Sequence, residues 1–304
     1  LEGSTLHSYL GIGYGTDHID KLVKKICTWT WLRKRWQELE SLVIDEISML
    51  SPDLFDKLNE IAKRVRKSSK PFGGIQLILS GDFLQLPCVG TNDFCFHAES
   101  WKECIDKTIY LDEIIRQGDV TYQNCLNNIR LGIITKKDRN LLDRQIGKNL
   151  ENSLGIKPTK LFAINYDVDM INNMELDNLA EDGRQFYEYE MKTILYSKNK
   201  SIISKFKKNC SAPDLLQLCK GAQVMLLINL SVQDGLANGS RGVITGFTSE
   251  DLPIVRFLNG KEQIIENYTW EVKENGKKIL IAEQIPLKVA YAISIHKSQG
   301  SSLD

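Results

Sequence analysis

LVIDEISML (42–50) and IQLILSGDFLQLP (75–87) are two apolar, strand-like runs that each deliver carboxylates as the run ends. Between them Leu54, Leu58, Ile61 and Val65 recur at helical spacing, and Ser51 followed by Pro52 supplies an N-cap and a first-turn proline. Strand, helix and strand in this order predict a parallel pairing, and the C-terminal ends of such strands are where open α/β sheets place their chemistry. Asp45, Glu46, Asp82 and Gln85 all fall at those ends.

The residue types at those ends suit phosphoryl transfer to water. An Asp leaving a buried strand can hold the Mg2+ that bridges phosphate oxygens, and a neighbouring acid can position the attacking water. Asp45 and Glu46 fit the two roles, and the Gln85 amide could read a γ-phosphate. Asp82 fits better as support for the loop that carries Gln85 than as a metal ligand. An isolated Asp-Glu pair would more often cap the helix that follows it, so the context of the pair decides its reading.

Composition excludes little. Lys plus Arg and Asp plus Glu are 39 each, so any groove for a polyanion must come from local clustering. Seven cysteines without a CxxC pair argue for reduced thiols in an intracellular compartment, against both a disulfide framework and a zinc site. No apolar run is long enough to span a membrane. The chain opens on Leu1 and stops at Asp304 just after a motif-like run, and is expected to be a piece of something longer.

Outward from the two runs, Ile19, Leu22, Val23 and Ile26 mark a short amphipathic helix, and Leu32, Trp36 and Leu39 a second. Lys63, Arg64, Arg66, Lys67 and Lys70 cluster at the end of the third, as solvated charges or as a DNA-facing patch. Trp29, Trp31 and Trp36 are expected in the core. Alternating helix and strand to residue 110 predicts a largely parallel sheet covered on both faces, and KTIYLDEIIRQ (107–117) ends this first unit. Thr135 and Asp138 stand at capping-box spacing. KLFAI (160–164) and KGAQVMLLIN (220–229) read as strands and DVDMINNMELDNLA (167–180) as a helix of a second α/β unit. Short β-rich runs from Arg241, with Asn259-Gly260 and Asn275-Gly276 as hairpin turns, predict a small antiparallel barrel. LKVAYAISIH (287–296) then returns to the second unit's sheet, which makes the barrel an insertion.

Six ordered stretches resemble the Pif-type (petite integration frequency) DNA helicases, relatives of RecD in helicase superfamily one. GSTLHSYLGIG (3–13) resembles their first DNA-contacting motif, DEISML (45–50) their Walker B motif, and residues 52–87 their signature segment and third motif. LDEIIRQ (111–117) resembles the arginine motif, GAQVMLLINLSVQDGLANGSRGVI (221–244) the entry to the inserted barrel, and AYAISIHKSQG (290–300) the late motif that couples DNA to nucleotide.

The resemblance implies an α/β fold of two RecA-like parallel-sheet domains, the second carrying an inserted small antiparallel β-barrel: 1–117, 118–240, the barrel at 241–285, and a return segment at 286–304. It implies a helicase driven by ATP and Mg2+ that moves 5′-to-3′ along single-stranded DNA. Its partners would be single-stranded and fork or tailed duplex DNA, met as a monomer and away from membranes. The setting would be nuclear or mitochondrial in a eukaryote and cytoplasmic otherwise. Asp45 would hold Mg2+, Glu46 activate water, and Gln85 and Arg116 contact the γ-phosphate, with Gly300 beside the nucleotide. For Arg116 a surface ion pair with Asp112 or Glu113 stays open. Thr5, His7 and Ser8 near the start, and His296, Lys297, Ser298 and Gln299 near the end, would face DNA, although Lys297 could point at the nucleotide instead. Hydroxyls, amides and imidazoles suit the sequence-tolerant grip of a translocase.

One absence is as informative as the matches. No GxxxxGK[ST] phosphate loop occurs, and the Gly-Lys pairs at Gly147, Gly260 and Gly276 have the wrong context. The chain alone is therefore expected to hydrolyse ATP negligibly, and the missing loop is expected just upstream of Leu1. Cys88 and Ile115 stand where the family favours proline and an aromatic. Two alternatives stay open: a non-hydrolysing single-stranded-DNA-binding relative or mobile-element remnant, and a nuclease-associated ATPase subunit of RecD type.

Overall fold

In the computed structural model, described for residues 3–91, 93–115, 117–148, 155–197, 200–274 and 277–299, the chain divides into two compact units, 1–147 and 148–304. The division falls beyond the boundary expected at residue 117, so residues 118–147 lie with the first unit.

The first unit begins with three helices, α1 (Leu6–Tyr9), α2 (Ile19–Thr28) and α3 (Thr30–Glu38), followed by strand β1 (Ser41–Ile44). A helix α4 (Pro52–Arg66) leads to strand β2 (Gln76–Leu79), and α5 (Trp101–Cys104), α6 (Val120–Arg130) and α7 (Lys136–Asp143) follow. The Ser51 hydroxyl accepts from the Leu54 amide at 3.2 Å, so α4 starts where the Ser-Pro pair predicts. The face of α4 carrying Phe55, Leu58, Ile61, Ala62 and Val65 is buried against Leu22, Ile26, Leu32 and Trp36. Each of these side chains other than Ala62 contributes about 1.5–3 kcal/mol on burial.

Strands β1 and β2 run parallel, with Ser41 opposite Gln76 and Ile44 opposite Leu79. The sheet was expected to be covered on both faces. Among the described residues only the face bearing Leu42 and Ile44 is covered, whereas Val43 and Ile78 on the other are 64% and 48% exposed. The difference arises because the unit's core cluster, with α2, α3 and α4, packs on one side of the sheet. Residues 107–115 form neither helix nor strand, and Ile109, Tyr110, Leu111 and Ile115 are exposed. The Thr135–Asp138 capping box is present at the start of α7, and Asn128 of α6 donates to the same Asp138 carboxylate.

The second unit contains β3 (Lys160–Phe162), α8 (Asn165–Glu181), β4 (Phe186–Glu190), β5 (Lys192–Leu195), α9 (Ser201–Asn209), β6 (Leu215–Cys219) and β7 (Gln223–Leu226). Then come β8 (Arg241–Phe247), β9 (Pro253–Phe257), β10 (Glu262–Ile264), β11 (Tyr268–Glu274), β12 (Lys277–Gln284), β13 (Leu287–Val289), β14 (Ala292–Ser294) and α10 (Ile295–Ser298). Strand β3 pairs in parallel with β14, and the Asn172 amide of α8 accepts from Tyr291 and Ala292 while donating to the Ala292 carbonyl. This is the only parallel pairing among the unit's described residues.

The antiparallel part is larger than expected. Strands order β10-β9-β8-β7-β13 in one sheet and β11-β12-β5 in another, so β5, β7 and β13 join from outside 241–285. The run 220–229 is thus a strand of the antiparallel sheet, and 287–296 divides between β13 in that sheet and β14 in the parallel pair. The break between them follows from the Gln223 side chain, which donates to the Ala290 carbonyl and pins the corner. Asn259-Gly260 turns β9 into β10 as predicted, with Gly260 at φ 81°. Asn275-Gly276 lies outside the described residues.

Two contacts set the first unit's stability. Arg66 donates from Nε to the Gly73 carbonyl at 2.8 Å and from one Nη to the carbonyls of Trp36, Gln37 and Leu39 at 2.7–3.0 Å. Lysine lacks that fork. Arg66→Lys is expected to lower the unfolding free energy by about 1.5–3 kcal/mol, read as a lower urea midpoint with unchanged slope; an unmoved midpoint would show that the fork does not tie α4 to the entry of β1. Gly81 has φ 150°, and a Cβ there would stand 2.8 Å from the Ile47 amide nitrogen. Gly81→Ala should cost about 1–3 kcal/mol of backbone strain in the same titration, and a variant as stable as the wild type would disprove the close approach of the two strand ends.

Candidate active site

Because β1 and β2 are parallel and in register, Asp45 and Ser80 leave the sheet side by side. The ladder continues past the strands, with Ser80 donating to the Ile44 carbonyl and Ile47 to the Ser80 carbonyl, at 2.9 and 3.0 Å. Gly81 lies against the Glu46–Ile47 backbone, and only a residue without a side chain fits there. The carboxylates of 45–46 and the loop 82–85 therefore share one end of one sheet.

Asp45 is exposed, and its Oδ1 accepts from the Glu46 amide at 3.0 Å. Its Oδ2 has no partner among the described residues and is free for a cation. Glu46 adopts the left-handed conformation, φ 54° and ψ 48°, which turns the chain sharply into the short 3-10 segment Ile47–Met49. No group of three or more His, Cys, Asp or Glu that could cage a metal occurs among the described residues. One open carboxylate nonetheless fits Mg2+, which keeps several waters and is held by one or two carboxylates together with substrate phosphates.

Asp82 is committed to the loop. Its Oδ1 accepts from the Leu84 amide at 3.0 Å and from Arg130 at 2.8 Å, and its Oδ2 from the Gln85 side-chain amide at 3.3 Å. The expected supporting part for Asp82 agrees with these bonds. Arg130, the last residue of α6, escapes a reading by local pattern because it reaches Asp82 from far along the chain. Ser48, another residue the sequence did not single out, is buried, and its hydroxyl has no hydrogen-bond partner among the described residues.

His7 and Ser8 sit on α1 and Thr5 at its N-cap, Thr5 and Ser8 exposed and His7 half-buried. Their segment is anchored from α3, where Arg35 donates to the Tyr9 carbonyl at 2.7 Å and the Trp36 indole to the Leu10 carbonyl at 3.0 Å. His296, Lys297, Ser298 and Gln299 belong to the second unit, on and just after α10, with His296 and Lys297 exposed. Ser298 donates to the Ile295 carbonyl at 2.8 Å. Arg116 and Gly300 lie outside the described residues.

The basic end of α4 resolves mostly into internal partners. Lys63 pairs with Glu103 at 2.7 Å, which raises the amine and lowers the carboxyl relative to their ordinary values. Arg64 pairs with Glu60 and Asp20, and Arg66 is spent on carbonyls. Trp36 is fully buried, as expected, whereas Trp29 and Trp31 are only partly buried against the same core.

The sequence profile described as "PIF1-like helicase" matches residues 1–140, and that of the "DNA helicase Pif1, 2B domain" matches 202–247. The human ATP-dependent DNA helicase PIF1 is 41% identical over the whole of this chain, which covers 47% of its own length. This chain thus spans about half of that relative. The crystal structure of Pif1 helicase from Candida albicans is similar at a TM-score of 0.81 and 36% identity, over 99% of this chain and 74% of that one. Pif1 helicase from Bacteroides in complex with ADP-AlF3 and single-stranded DNA gives a TM-score of 0.62 at 30% identity, over 99% of this chain and 71% of that one. With whole-chain similarity in sequence and in fold, and with the paired acids and the supported glutamine at one sheet end, this chain belongs to the PIF1-like helicase family.

Proposed function

We propose that the protein is an ATP- and Mg2+-dependent DNA helicase that moves 5′-to-3′ along single-stranded DNA. The observation that carries the reading is the shared strand end: an exposed carboxylate with a free oxygen at Asp45, a second acid at Glu46, and the Gln85 amide held by Asp82. The Bacteroides relative bound to ADP-AlF3 and single-stranded DNA supports both ligands.

In this reading Asp45 holds the Mg2+, which when bound offsets charge on the phosphates. Glu46 accepts a proton from the attacking water at its carboxylate. Gln85 orients at the γ-phosphate, and the Asp82–Arg130 pair keeps Gln85 from collapsing onto solvent. Arg116 supplies a cation to the γ-phosphate and Gly300 lies beside the nucleotide. Thr5, His7, Ser8, His296, Lys297, Ser298 and Gln299 grip single-stranded or forked DNA. The protein works as a monomer in a reducing compartment, nuclear or mitochondrial in a eukaryote and cytoplasmic otherwise, a setting supported by seven unpaired thiols. The 304 residues contain no GxxxxGK[ST] cradle, so this chain in isolation hydrolyses ATP negligibly.

Glu46→Gln in the full-length protein is expected to lower ATP hydrolysis and separation of a tailed duplex by about 10²- to 10⁴-fold, with single-strand affinity unchanged. Hydrolysis that survives the substitution would remove Glu46 from the reaction, and an unaltered protein that binds the strand without any hydrolysis would favour a purely binding relative.

A further inference from the structure

A cavity of about 520 Å³ opens in the second unit between the start of β4, the turn that joins β6 to β7 and the end of β8. Its lining is Arg184, Gln185, Tyr187, Lys220, Gly246 and Phe247. The volume falls in the range of ordinary small-ligand sites, and the lining divides into two chemistries. Tyr187 and Phe247 are half-buried, and their rings stack with centroids 3.9 Å apart and planes 25° from parallel. Phe247 packs against the core of the second unit, so the pair forms a two-ring platform on a firm base. Arg184 and Lys220 are exposed and supply positive charge.

Local bonds hold this arrangement. Arg184 donates to the Lys220 carbonyl at 2.7 Å and pairs with Asp182 at 3.2 Å, which fixes its guanidinium beside the turn. The same turn is tied to the late segment of the chain, where the Tyr291 hydroxyl donates to the Gly221 carbonyl at 3.3 Å. The pairing of β8 with β9 shifts between Ile244 and Gly246, and a bulge of this kind redirects the side chain that follows it, here Phe247. Gly246 is the informative residue. Its φ lies outside the left-handed region, and beyond its chain neighbours no atom lies within 4 Å of where a Cβ would stand. Neither backbone nor packing requires glycine at 246, whereas a side chain there would take up cavity space.

Stacked rings, an amide and two cations around one hollow fit a base and its phosphate. Stacking is open to any base, because each has a π-face, and side-chain cations meet a backbone phosphate without reading sequence. An aliphatic ligand would gain nothing from the cations, and a bare anion nothing from the rings. We propose that this cavity holds one nucleotide of single-stranded DNA, its base on the Tyr187–Phe247 platform and its phosphate beside Arg184 and Lys220. This rests on the reading of the protein as a single-strand-binding helicase, and it adds a stacking contact apart from the residues assigned to DNA there.

The experiment measures the affinity of the full-length protein for a fluorescent oligothymidylate by anisotropy over a series of salt concentrations. Tyr187→Ala should weaken binding about 5- to 100-fold, the effect of removing one base stack, and Tyr187→Phe, which keeps the ring, should bind as the wild type does. Gly246→Leu should fill the cavity and weaken binding by a similar factor while leaving the thermal midpoint unchanged. Lys220→Gln should flatten the slope of log affinity against log salt by about 0.7, the share of one phosphate contact to a single strand. Tyr166→Ala, which removes an exposed ring from α8, should change neither affinity nor slope. If Tyr187→Ala does not fold, Gly246→Leu and Tyr187→Phe still give opposite results under the proposal. Wild-type affinity and slope in Tyr187→Ala, Gly246→Leu and Lys220→Gln overturn the site while leaving the helicase reading intact. Weakened binding of fluorescent ADP with unaltered DNA affinity assigns the cavity to a free nucleotide and overturns the proposal. A wild-type protein with no affinity for the oligonucleotide sinks the functional reading and the site together.

Discussion

The parallel register of β1 and β2 is the constraint on which the rest of the first unit depends. Placing Ile44 opposite Leu79 makes the two chains leave the sheet together, and the two bonds beyond the strands keep them together for another residue on each side. A slip of one residue would turn Leu42 and Ile44 out of the core and point Asp45 to the wrong face. What prevents the slip is burial: α4 and the core under it accept only the Leu42–Ile44 face, and Arg66 fixes the chain where it enters β1. Packing on one side of a two-stranded sheet is thereby converted into the position of a carboxylate.

Charge is distributed by the same economy. Equal numbers of acids and bases give no long-range field, and most bases seen at sequence level as possible contacts with a polyanion are consumed inside the protein. Lys63 and Arg64 hold helices through Glu103 and Asp20, and Arg66 serves as a backbone clamp. A run of basic residues therefore says little by itself about partners.

The legible features were the local ones. Ser51 and Thr135 announce helix starts because a capping hydroxyl bonds within three residues, and Asn259-Gly260 announces a turn because its backbone needs positive φ. That Asp45, Glu46 and Gln85 would share one end of a sheet was legible because a strand end is also a place in space. The membership of β7 and β13 was not. Gln223, Val224, Met225 and Leu226 are all buried, and a continuously apolar run does not say whether its neighbours are parallel or antiparallel. Arg130 was equally hidden, since its partner Asp82 is distant in sequence and nothing in α6 marks which arginine turns inward.

Glu46 sits in a backbone conformation that glycine adopts freely and that a side chain resists. Under the function proposed for Glu46, stability and chemistry therefore pull in opposite directions at this one position. A lineage released from hydrolysing nucleotide would gain by drifting to glycine there, sooner than at Asp45, whose backbone bears no such penalty. An acid at 46 thus holds a torsion that a glycine would relieve, a local strain carried at the very residue proposed to handle the attacking water.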